Sequence, residues 1–337
     1  MFTYEQILQY TGDPYFLPDA DKYWDDAVTE SKLDGDRYVL KKVRETQNEE
    51  HFYLTFMGIG GDEVFCLFAR PKNIREKSPA VCFFEGYRGK SDEKLSKLFE
   101  ERTTWGEEYT SKGLSYLFMG VRGQWYESPN SVVSRGFEFP HLYLTNLLSD
   151  DPKDSYFRAI FTDAAKCVRI LLSMDFVSEV YVTGFSQGGD LTVFAAALEP
   201  RVKRILFGGV GSLDFKRYVT DDVAYKDAAL KHSLRLYFEQ CDPDKKTMDK
   251  IIEKTSYMDL LLLAKRINAD VYNMVGLQDR ICPVAGQMAL YNNLVVVNKK
   301  LDMMCEAGHG VPKYKKDEVP HILSSARNCR IFERETD

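Results

Sequence analysis

Residues 180–189, with the sequence VYVTGFSQGG, decide how the rest of this chain is interpreted. The segment begins as a run of β-branched and aromatic residues, which favours a buried strand. It ends in Ser186, with Gly184 two positions before it and Gly188 two positions after it. Glycines at these places indicate a backbone too tightly turned for side chains. The apolar segment 191–198 then follows a helical pattern, so we predict a strand, a tight turn at the serine and a helix.

A Gly-x-Ser-x-Gly sequence between a strand and a helix is typical of the nucleophile elbow of α/β-hydrolases. The turn holds the serine hydroxyl clear of the sheet. Gln187 then begins the helix with a free backbone N–H, which can bind the oxyanion of a tetrahedral intermediate. The hypothesis is therefore that Ser186 is a nucleophile and that Gln187 supplies one oxyanion donor.

The pattern around this segment predicts the fold class. Four strand-like runs precede Gly86, and the turn GIGGDE at 58–63 predicts a hairpin between the second and third. After Gly86, apolar strands alternate with helix-length segments, which indicates a parallel sheet. We expect an α/β-hydrolase fold with a mixed, mostly parallel sheet and helices on both faces. We expect a single domain at 36–337, an N-terminal helical segment at 1–35 packing on it, and an irregular insertion at 125–156 near the active site.

Composition and charge exclude several function classes. The net charge is −6, and no window is basic enough to follow phosphates, so nucleic acid is not an expected partner. No run of 18 apolar residues occurs, and the N-terminus lacks a signal-peptide pattern, so no membrane association is expected. The seven cysteines are scattered and never spaced C-x-x-C, and the five histidines do not cluster. This indicates buried, reduced thiols in a cytosolic protein and no metal site.

A nucleophilic serine needs a base, and in this fold the base is a histidine near the C-terminal end. His309 lies in the glycine-flanked loop EAGHG, directly after the strand-like KLDMMCE. His232 lies in a polar helical pattern typical of a surface, and His321 lies in a C-terminal helical pattern that favours packing. We therefore predict that His309 is the base.

The acid that orients the histidine is expected in an earlier loop, directly after the strand that precedes the histidine's own strand. Asp279, in LQDRICP, follows the strand-like DVYNMVG and fits this place. Asp270 precedes that strand, Asp302 opens the next one and Asp190 lies in the elbow helix. Asp279 is thus the predicted acid. The second oxyanion donor is expected from the loop after an earlier strand, where the backbone N–H of Tyr87 follows Gly86.

Five motifs together give the chain a recognisable resemblance. They are GYRG at 86–89, VRGQ at 121–124, GFSQGGDL at 184–191, GLQDRICP at 276–283 and GHG at 308–310. With the helix-like DSYFRAIFTDAAKCV at 154–168, the chain resembles the acetyl xylan esterase and cephalosporin-C deacetylase family, carbohydrate esterase family seven, from about residue 36 to the C-terminus. The resemblance implies removal of small O-linked acetyl groups from xylo-oligosaccharides and from cephalosporin C. It also implies a cytoplasmic, ring-like homohexamer that needs no metal or organic cofactor.

The chain departs from the family at three positions near the expected pocket. Glu85 stands where the family usually has histidine, Gly120 where it has aspartate, and Trp125 where it has glycine. We interpret Trp125 as a substrate-binding residue. Arg122 and Gln124 are expected to brace neighbouring loops through hydrogen bonds.

Two other functions remain open at this stage. The first is a broader short-chain carboxylesterase or a peptidase on the same fold. The second is an inactive hydrolase fold that binds a sugar or a partner, which would have a broken triad; the sequence shows no such break.

Overall fold

The fold is described by a computed structural model, which covers residues 2–72, 76–89, 102, 105–132, 135–310, 319, 320 and 323. Within these residues, the centre is a nine-stranded sheet with the order β1-β2-β3-β5-β4-β6-β7-β8-β9. The strands are Tyr38–Glu45 (β1), Glu49–Met57 (β2), Glu63–Pro71 (β3), Ser78–Phe84 (β4), Ser115–Met119 (β5), Val177–Phe185 (β6), Val202–Gly208 (β7), Asp270–Gly276 (β8) and Lys299–Met304 (β9). Helices of the described ranges are Tyr4–Leu8, Ala20–Glu30, Tyr156–Leu172, Gln187–Leu198, Phe215–Thr220, Lys231–Gln240, Met248–Ser256, Leu260–Leu263 and Val284–Asn293, and residues 105–110 are also helical.

The sheet changes from antiparallel to parallel at β5. Strands β1, β2 and β3 pair antiparallel, and β3 pairs antiparallel with β5. From β5 onward, the neighbours β4, β6, β7, β8 and β9 are all paired in parallel. The predicted mixed, mostly parallel sheet is confirmed, and so is the hairpin of β2 and β3. Because parallel strands end at the same edge, the loops after β4, β6, β8 and β9 meet there.

Two helices packed on the central strands form the core around the elbow. Tyr156–Leu172 and Gln187–Leu198 are buried along almost their whole lengths. The rings of Phe161 and Phe194 stack between them, with centroids 3.7 Å apart. Both helices are covered on almost all sides by the sheet and by neighbouring elements, although the first also buries charged side chains.

The N-terminal segment contacts this core through buried aromatic rings and through ion pairs. Trp24 is fully buried, and its Nε1–H donates to the carbonyl of Tyr257 at 2.9 Å. Lys166 and Arg169 of the first core helix bind acidic residues that follow the helix Ala20–Glu30. These contacts are those expected of a segment that packs on the core. The division at residues 35 and 36, and the insertion at 125–156, stay predictions.

The cysteines of the described ranges agree only in part with the expectation of buried thiols. All six carry free thiols, and four of them are buried: Cys66, Cys82, Cys167 and Cys282. Cys241 and Cys305 are exposed, which corrects the expectation for these two. Within the same ranges, none of the helices combines the length and apolarity needed to cross a membrane. His321 lies outside the described residues.

Candidate active site

Ser186 lies in a strained turn between β6 and the helix Gln187–Leu198. Its backbone has φ 60° and ψ −128°, a region that side chains rarely adopt. A Cβ on Gly188 would lie 2.0 Å from the carbonyl oxygen of Phe84, and one on Gly184 would lie 2.3 Å from the carbonyl oxygen of Gly188. The glycines are therefore required because strand and helix backbones touch here. The tight turn predicted from the sequence is present.

Three side chains that are distant in sequence form one hydrogen-bonded chain. His309 Nε2 lies 2.9 Å from Ser186 Oγ, and His309 Nδ1 lies 2.9 Å from Asp279 Oδ2. Asp279 is buried, whereas the His309 side chain is 23% exposed. This geometry allows the imidazole to accept the serine proton while the carboxylate holds the other ring nitrogen.

Backbone contacts bring the acid and histidine loops together. The amide of Gln278 donates to the carbonyl of Ala307 at 2.9 Å. A Cβ on Gly276 would lie 2.5 Å from the carbonyl oxygen of Gly308, so only glycine permits this approach. Asp279 Oδ1 accepts the amides of residues 281 and 282, each at 2.9 Å, which fixes the carboxylate for the imidazole.

The alternative acids and bases lie elsewhere. Asp270 begins β8 at the opposite edge of the sheet, and Asp302 lies within β9, where it accepts the hydroxyl of Tyr272 at 3.0 Å. His232 is exposed on its helix, as its polar surroundings indicated. The structure thus brings together Ser186 and the acid and base that the sequence favoured.

Gln187 and Gln124 form a buried amide pair beside the serine. Gln124 Nε2 donates to Gln187 Oε1 at 2.7 Å, and Gln187 Nε2 donates to Gln124 Oε1 at 3.1 Å. Gln124 Oε1 also accepts the backbone amide of Arg88 at 3.1 Å. Gln124 therefore connects the loop after β4 to the elbow. The backbone N–H of Gln187 is in the first turn of its helix, where amides have no acceptor within the helix.

Tyr87 is held by its ring and by its hydroxyl. The ring stacks on His141 with centroids 3.9 Å apart and an angle of 14°, and the hydroxyl oxygen accepts the amide of Leu142 at 3.1 Å. Burial lowers the pKa of His141 to about 3, so this imidazole stays neutral. These contacts fix the loop that carries the Tyr87 amide beside Ser186. Its part in an oxyanion hole, like that of Gln187, stays a prediction.

Two cavities of very different size meet at Ser186. The smaller, about 40 Å³, is lined by Ser212, Leu230 and Ile281 among others. The larger, about 620 Å³, is lined by residues that include Trp105 and His309. A small cavity suits a short acyl group, and a large one suits an alcohol of greater size.

The larger cavity has a charged wall next to an aromatic one. Glu85 forms ion pairs with Arg88, at 3.4 Å, and with Arg102. Burial raises the pKa of the Glu85 carboxyl, and the two guanidinium groups oppose that rise. Trp105 is partly exposed in the cavity, with Arg102 over its ring at 4.3 Å. Trp105 could not be predicted as a cavity residue from the sequence, because it lies in a stretch without a recognisable motif.

Trp125 is not at this cavity wall. It is 4% exposed, packs edge-on against Phe118 with centroids 4.8 Å apart, and carries the guanidinium of Arg88 over its ring at 5.0 Å. Neither cavity at Ser186 has Trp125 in its lining. Its position supports Arg88, and a direct contact with substrate stays a prediction.

In the described part of the chain, two groups of side chains are close enough to offer ligands to a metal. One is Asp279, Cys282 and His309; the other is Glu49, His51 and Glu107. In the first group, burial raises the pKa of the Cys282 thiol well above its usual range, so a thiolate ligand is disfavoured. In the second, His51 Nε2 lies 2.8 Å from Glu49 Oε1 within a buried hydrogen bond. In each group the histidine is hydrogen-bonded to a carboxylate of the same group.

Comparison with known proteins agrees with this geometry. The family model described as "Acetyl xylan esterase (AXE1)" matches residues 1–325. The chain belongs to the acetyl xylan esterase family. The predicted resemblance, and the predicted class of carboxylic ester hydrolase, are confirmed by this membership. The match begins at residue 1, so the likeness extends further toward the N-terminus than the sequence motifs indicated.

Individual relatives show how far the similarity extends. The chain is similar to acetyl xylan esterase 1 of Thermoanaerobacterium sp., with 29% identity, a TM-score of 0.85, and coverage of 96% of this chain and 98% of that one. It shares its fold with an acetyl xylan esterase of Paenibacillus sp., with 22% identity, a TM-score of 0.82, and coverage of 96% and 99%. It is also 25% identical over 198 residues to the acetyl esterase Axe7A of Xylanibacter ruminicola. The aligned region covers 57% of this chain and 42% of that protein. The chain thus spans less than half of that curated relative's length.

Proposed function

We propose that this chain is a serine esterase that removes O-linked acetyl groups from small carbohydrates. The observation that carries the proposal is the position of His309, 2.9 Å from both Ser186 Oγ and Asp279 Oδ2. Family membership supports the acetyl group as the acyl part of the substrate.

The proposed reaction is a two-step acyl transfer. His309 Nε2 takes the proton of Ser186 Oγ as that oxygen forms a bond to the acetyl carbonyl carbon. The amides of Tyr87 and Gln187 stabilise the oxyanion, each worth about 3 kcal/mol in the transition state. The carbon–oxygen bond to the sugar breaks, and His309 returns the proton to the sugar oxygen. Water then attacks the acetyl-serine by the same route and releases acetate.

The two cavities support an assignment of the two sides of the ester. The cavity of about 40 Å³ would hold the acyl group, and the cavity of about 620 Å³ would hold the sugar. The exposed part of the Trp105 ring offers an apolar face for a sugar ring, and Glu85 and Arg88 offer hydrogen bonds to its hydroxyls. Acetylated xylo-oligosaccharides fit this description, and cephalosporin C is a second candidate.

Location and assembly are part of the same proposal. The family resemblance supports a cytoplasmic homohexamer built from a single domain at 36–337 with the segment 1–35 packed on it. The mass of the purified protein in solution, measured by light scattering, tests the assembly; a monomer would contradict it.

The central experiment measures acetate release from acetylated xylo-oligosaccharides and from cephalosporin C. We expect Ser186→Ala to lose activity by orders of magnitude, because the nucleophile is gone. Ser173→Ala is a matched control, because that serine lies on the surface at the end of the helix Tyr156–Leu172. Equal rates for wild type and Ser186→Ala would contradict the proposal. A faster reaction with long-chain esters or peptides would favour the broader esterase or peptidase.

A further inference from the structure

The smaller cavity contains more polar groups than an acetyl methyl group can use. Tyr143 lies in its lining and is 3% exposed. Among the residues that the structure describes, its hydroxyl has no hydrogen-bond partner. A buried hydroxyl without a partner is costly, and it calls for an occupant that pairs with it.

Ring contacts place the Tyr143 side chain at the cavity. Its ring centroid lies 6.4 Å from that of Tyr87 and 5.1 Å from that of His141, and both of these residues line the same cavity. The Tyr143 side chain is therefore part of the wall of the space next to Ser186.

Asp190 also lines the smaller cavity and can accept a further hydrogen bond there. It follows Ser186 by one helical turn, and its carboxylate is 4% exposed. Oδ1 accepts the amides of Gly211 and Ser212 at 2.9 and 3.1 Å, while Oδ2 accepts the hydroxyl of Ser212 at 3.0 Å and no other hydrogen bond from the described residues. A carboxylate oxygen can accept two hydrogen bonds, so Oδ2 has room for another. The cavity thus offers a phenol donor and a carboxylate acceptor.

We propose that the acyl side of this site recognises short acyl groups with a hydroxyl on the carbon next to the carbonyl, such as glycolyl or lactyl, through the hydroxyl of Tyr143. This inference rests on the proposed esterase function and specifies its acyl substrate. A cavity of about 40 Å³ has room for the one additional oxygen. The covalent steps are unchanged: the hydroxyacyl group is transferred to Ser186 Oγ, and water releases the hydroxy acid.

Glycolyl and propionyl esters give a sharp comparison because a hydroxyl and a methyl group have similar sizes. The experiment measures kcat/KM for phenyl glycolate and phenyl propionate, each divided by its rate of hydrolysis by hydroxide. A site that pairs with a substrate hydroxyl rejects the analogue lacking it far more strongly than an apolar pocket rejects a methylene. We expect the corrected glycolyl-to-propionyl ratio of the wild type to be at least about 10.

Two variants test the residues. Tyr143→Phe removes only the unpaired oxygen, and we expect the ratio to fall to within about threefold of unity. Asp190→Asn keeps an acceptor for the two backbone amides but replaces the second acceptor with a donor, and it should lower the ratio as well. Tyr116→Phe is the matched control: its hydroxyl is also buried and unpaired in the described part of the chain, but it lines neither cavity, so the ratio should stay at the wild-type value.

The outcomes separate this inference from the esterase proposal. A wild-type ratio near unity, or a ratio unchanged in Tyr143→Phe, would overturn the hydroxyacyl inference and leave the cavity to water and acetyl groups. Acetyl hydrolysis that still depends on Ser186 would, in that case, leave the esterase proposal intact. Hydrolysis of all these esters independent of Ser186 would overturn both.

Discussion

Arg122 and Asp163 form a two-point ion pair in the interior, with Nε–Oδ2 at 2.7 Å and Nη2–Oδ1 at 2.6 Å. Nη1 of Arg122 also donates to the carbonyl of Ile59 at 2.9 Å. Arg122 is 1% exposed and Asp163 is 2% exposed. The pair connects the loop after β5 to the helix Tyr156–Leu172, which packs behind the elbow. The bracing role that the sequence suggested for Arg122 agrees with these contacts.

Breaking this pair should destabilise the whole fold. In Asp163→Ala the guanidinium keeps its charge in the interior without its main partner, so we expect the free energy of unfolding to fall by about 3–5 kcal/mol. Denaturant unfolding followed by circular dichroism measures the change. Asp26→Ala is the control, because Asp26 forms an exposed ion pair with Lys22. This variant should unfold at nearly the wild-type denaturant concentration. Equal stabilities of the two variants would contradict the structural role.

Gln124 should affect turnover without touching the reacting atoms. Gln124→Leu removes the partner of the Gln187 amide and of the Arg88 backbone N–H, so both loops beside Ser186 lose a fixed position. Removal of a whole oxyanion donor costs about 100- to 1,000-fold in kcat. We expect a smaller loss in kcat for acetyl esters, about tenfold, with KM less affected. Gln240→Leu is a control, because that glutamine is exposed at the end of the helix Lys231–Gln240 and lines neither cavity at Ser186. An unchanged kcat in Gln124→Leu would show that the amide pair does not position the donors.

The catalytic candidates could be predicted because each follows the end of a strand. Ser186, Asp279 and His309 come after β6, β8 and β9, and parallel strands bring their carboxyl ends to one edge. The chain order and the flanking glycines were sufficient to choose His309 over His232. The sheet could be predicted from the spacing of apolar residues, because this spacing differs between strands and helices.

The walls of the cavities could not be predicted in this way. Trp105 and Tyr143 line cavities at Ser186 only because segments distant in sequence pack near the strand ends. Trp125 is next to a recognised motif, yet its ring is covered by Phe118 and Arg88. Whether an aromatic residue of a loop faces a cavity or the core depends on its tertiary neighbours, which no local pattern records.

Ile281 should limit the length of the acyl group. It lines the smaller cavity while remaining 38% exposed, so its truncation should cost little stability. In Ile281→Ala we expect the ratio of kcat/KM for butanoyl over acetyl esters to rise about tenfold, since one methylene of pocket space is worth about 10- to 200-fold in discrimination. Val223→Ala, at a surface position outside both cavities, should leave the ratio unchanged. A ratio that stays constant in Ile281→Ala would assign the acyl group to the other cavity.

Asp259 should make the stability of the protein depend on pH. This carboxyl is fully buried, with Oδ2 accepting the amide of Phe215 at 2.9 Å and Oδ1 accepting that of Leu261 at 3.0 Å. Burial raises its pKa from 3.8 to about 7, and the nearby Asp214 adds to the rise. Between these two pH values the folded state binds more protons than the unfolded state, so the contribution of Asp259 to stability falls as the pH rises from about 4 to about 7.

The measurement is the free energy of unfolding of wild type and Asp259→Asn across this range. An asparagine does not titrate, so the wild type should lose stability relative to the variant as the pH rises, and the difference should level off above about pH 7. Asp249→Asn provides the control, because Asp249 is exposed at the start of the helix Met248–Ser256. The pH profile of this variant should run parallel to that of the wild type. A wild-type profile that stays parallel to that of Asp259→Asn from about pH 5 to about pH 7 would contradict the prediction, because it would mean that Asp259 is ionised in the folded state throughout this range and is stabilised by its two amides.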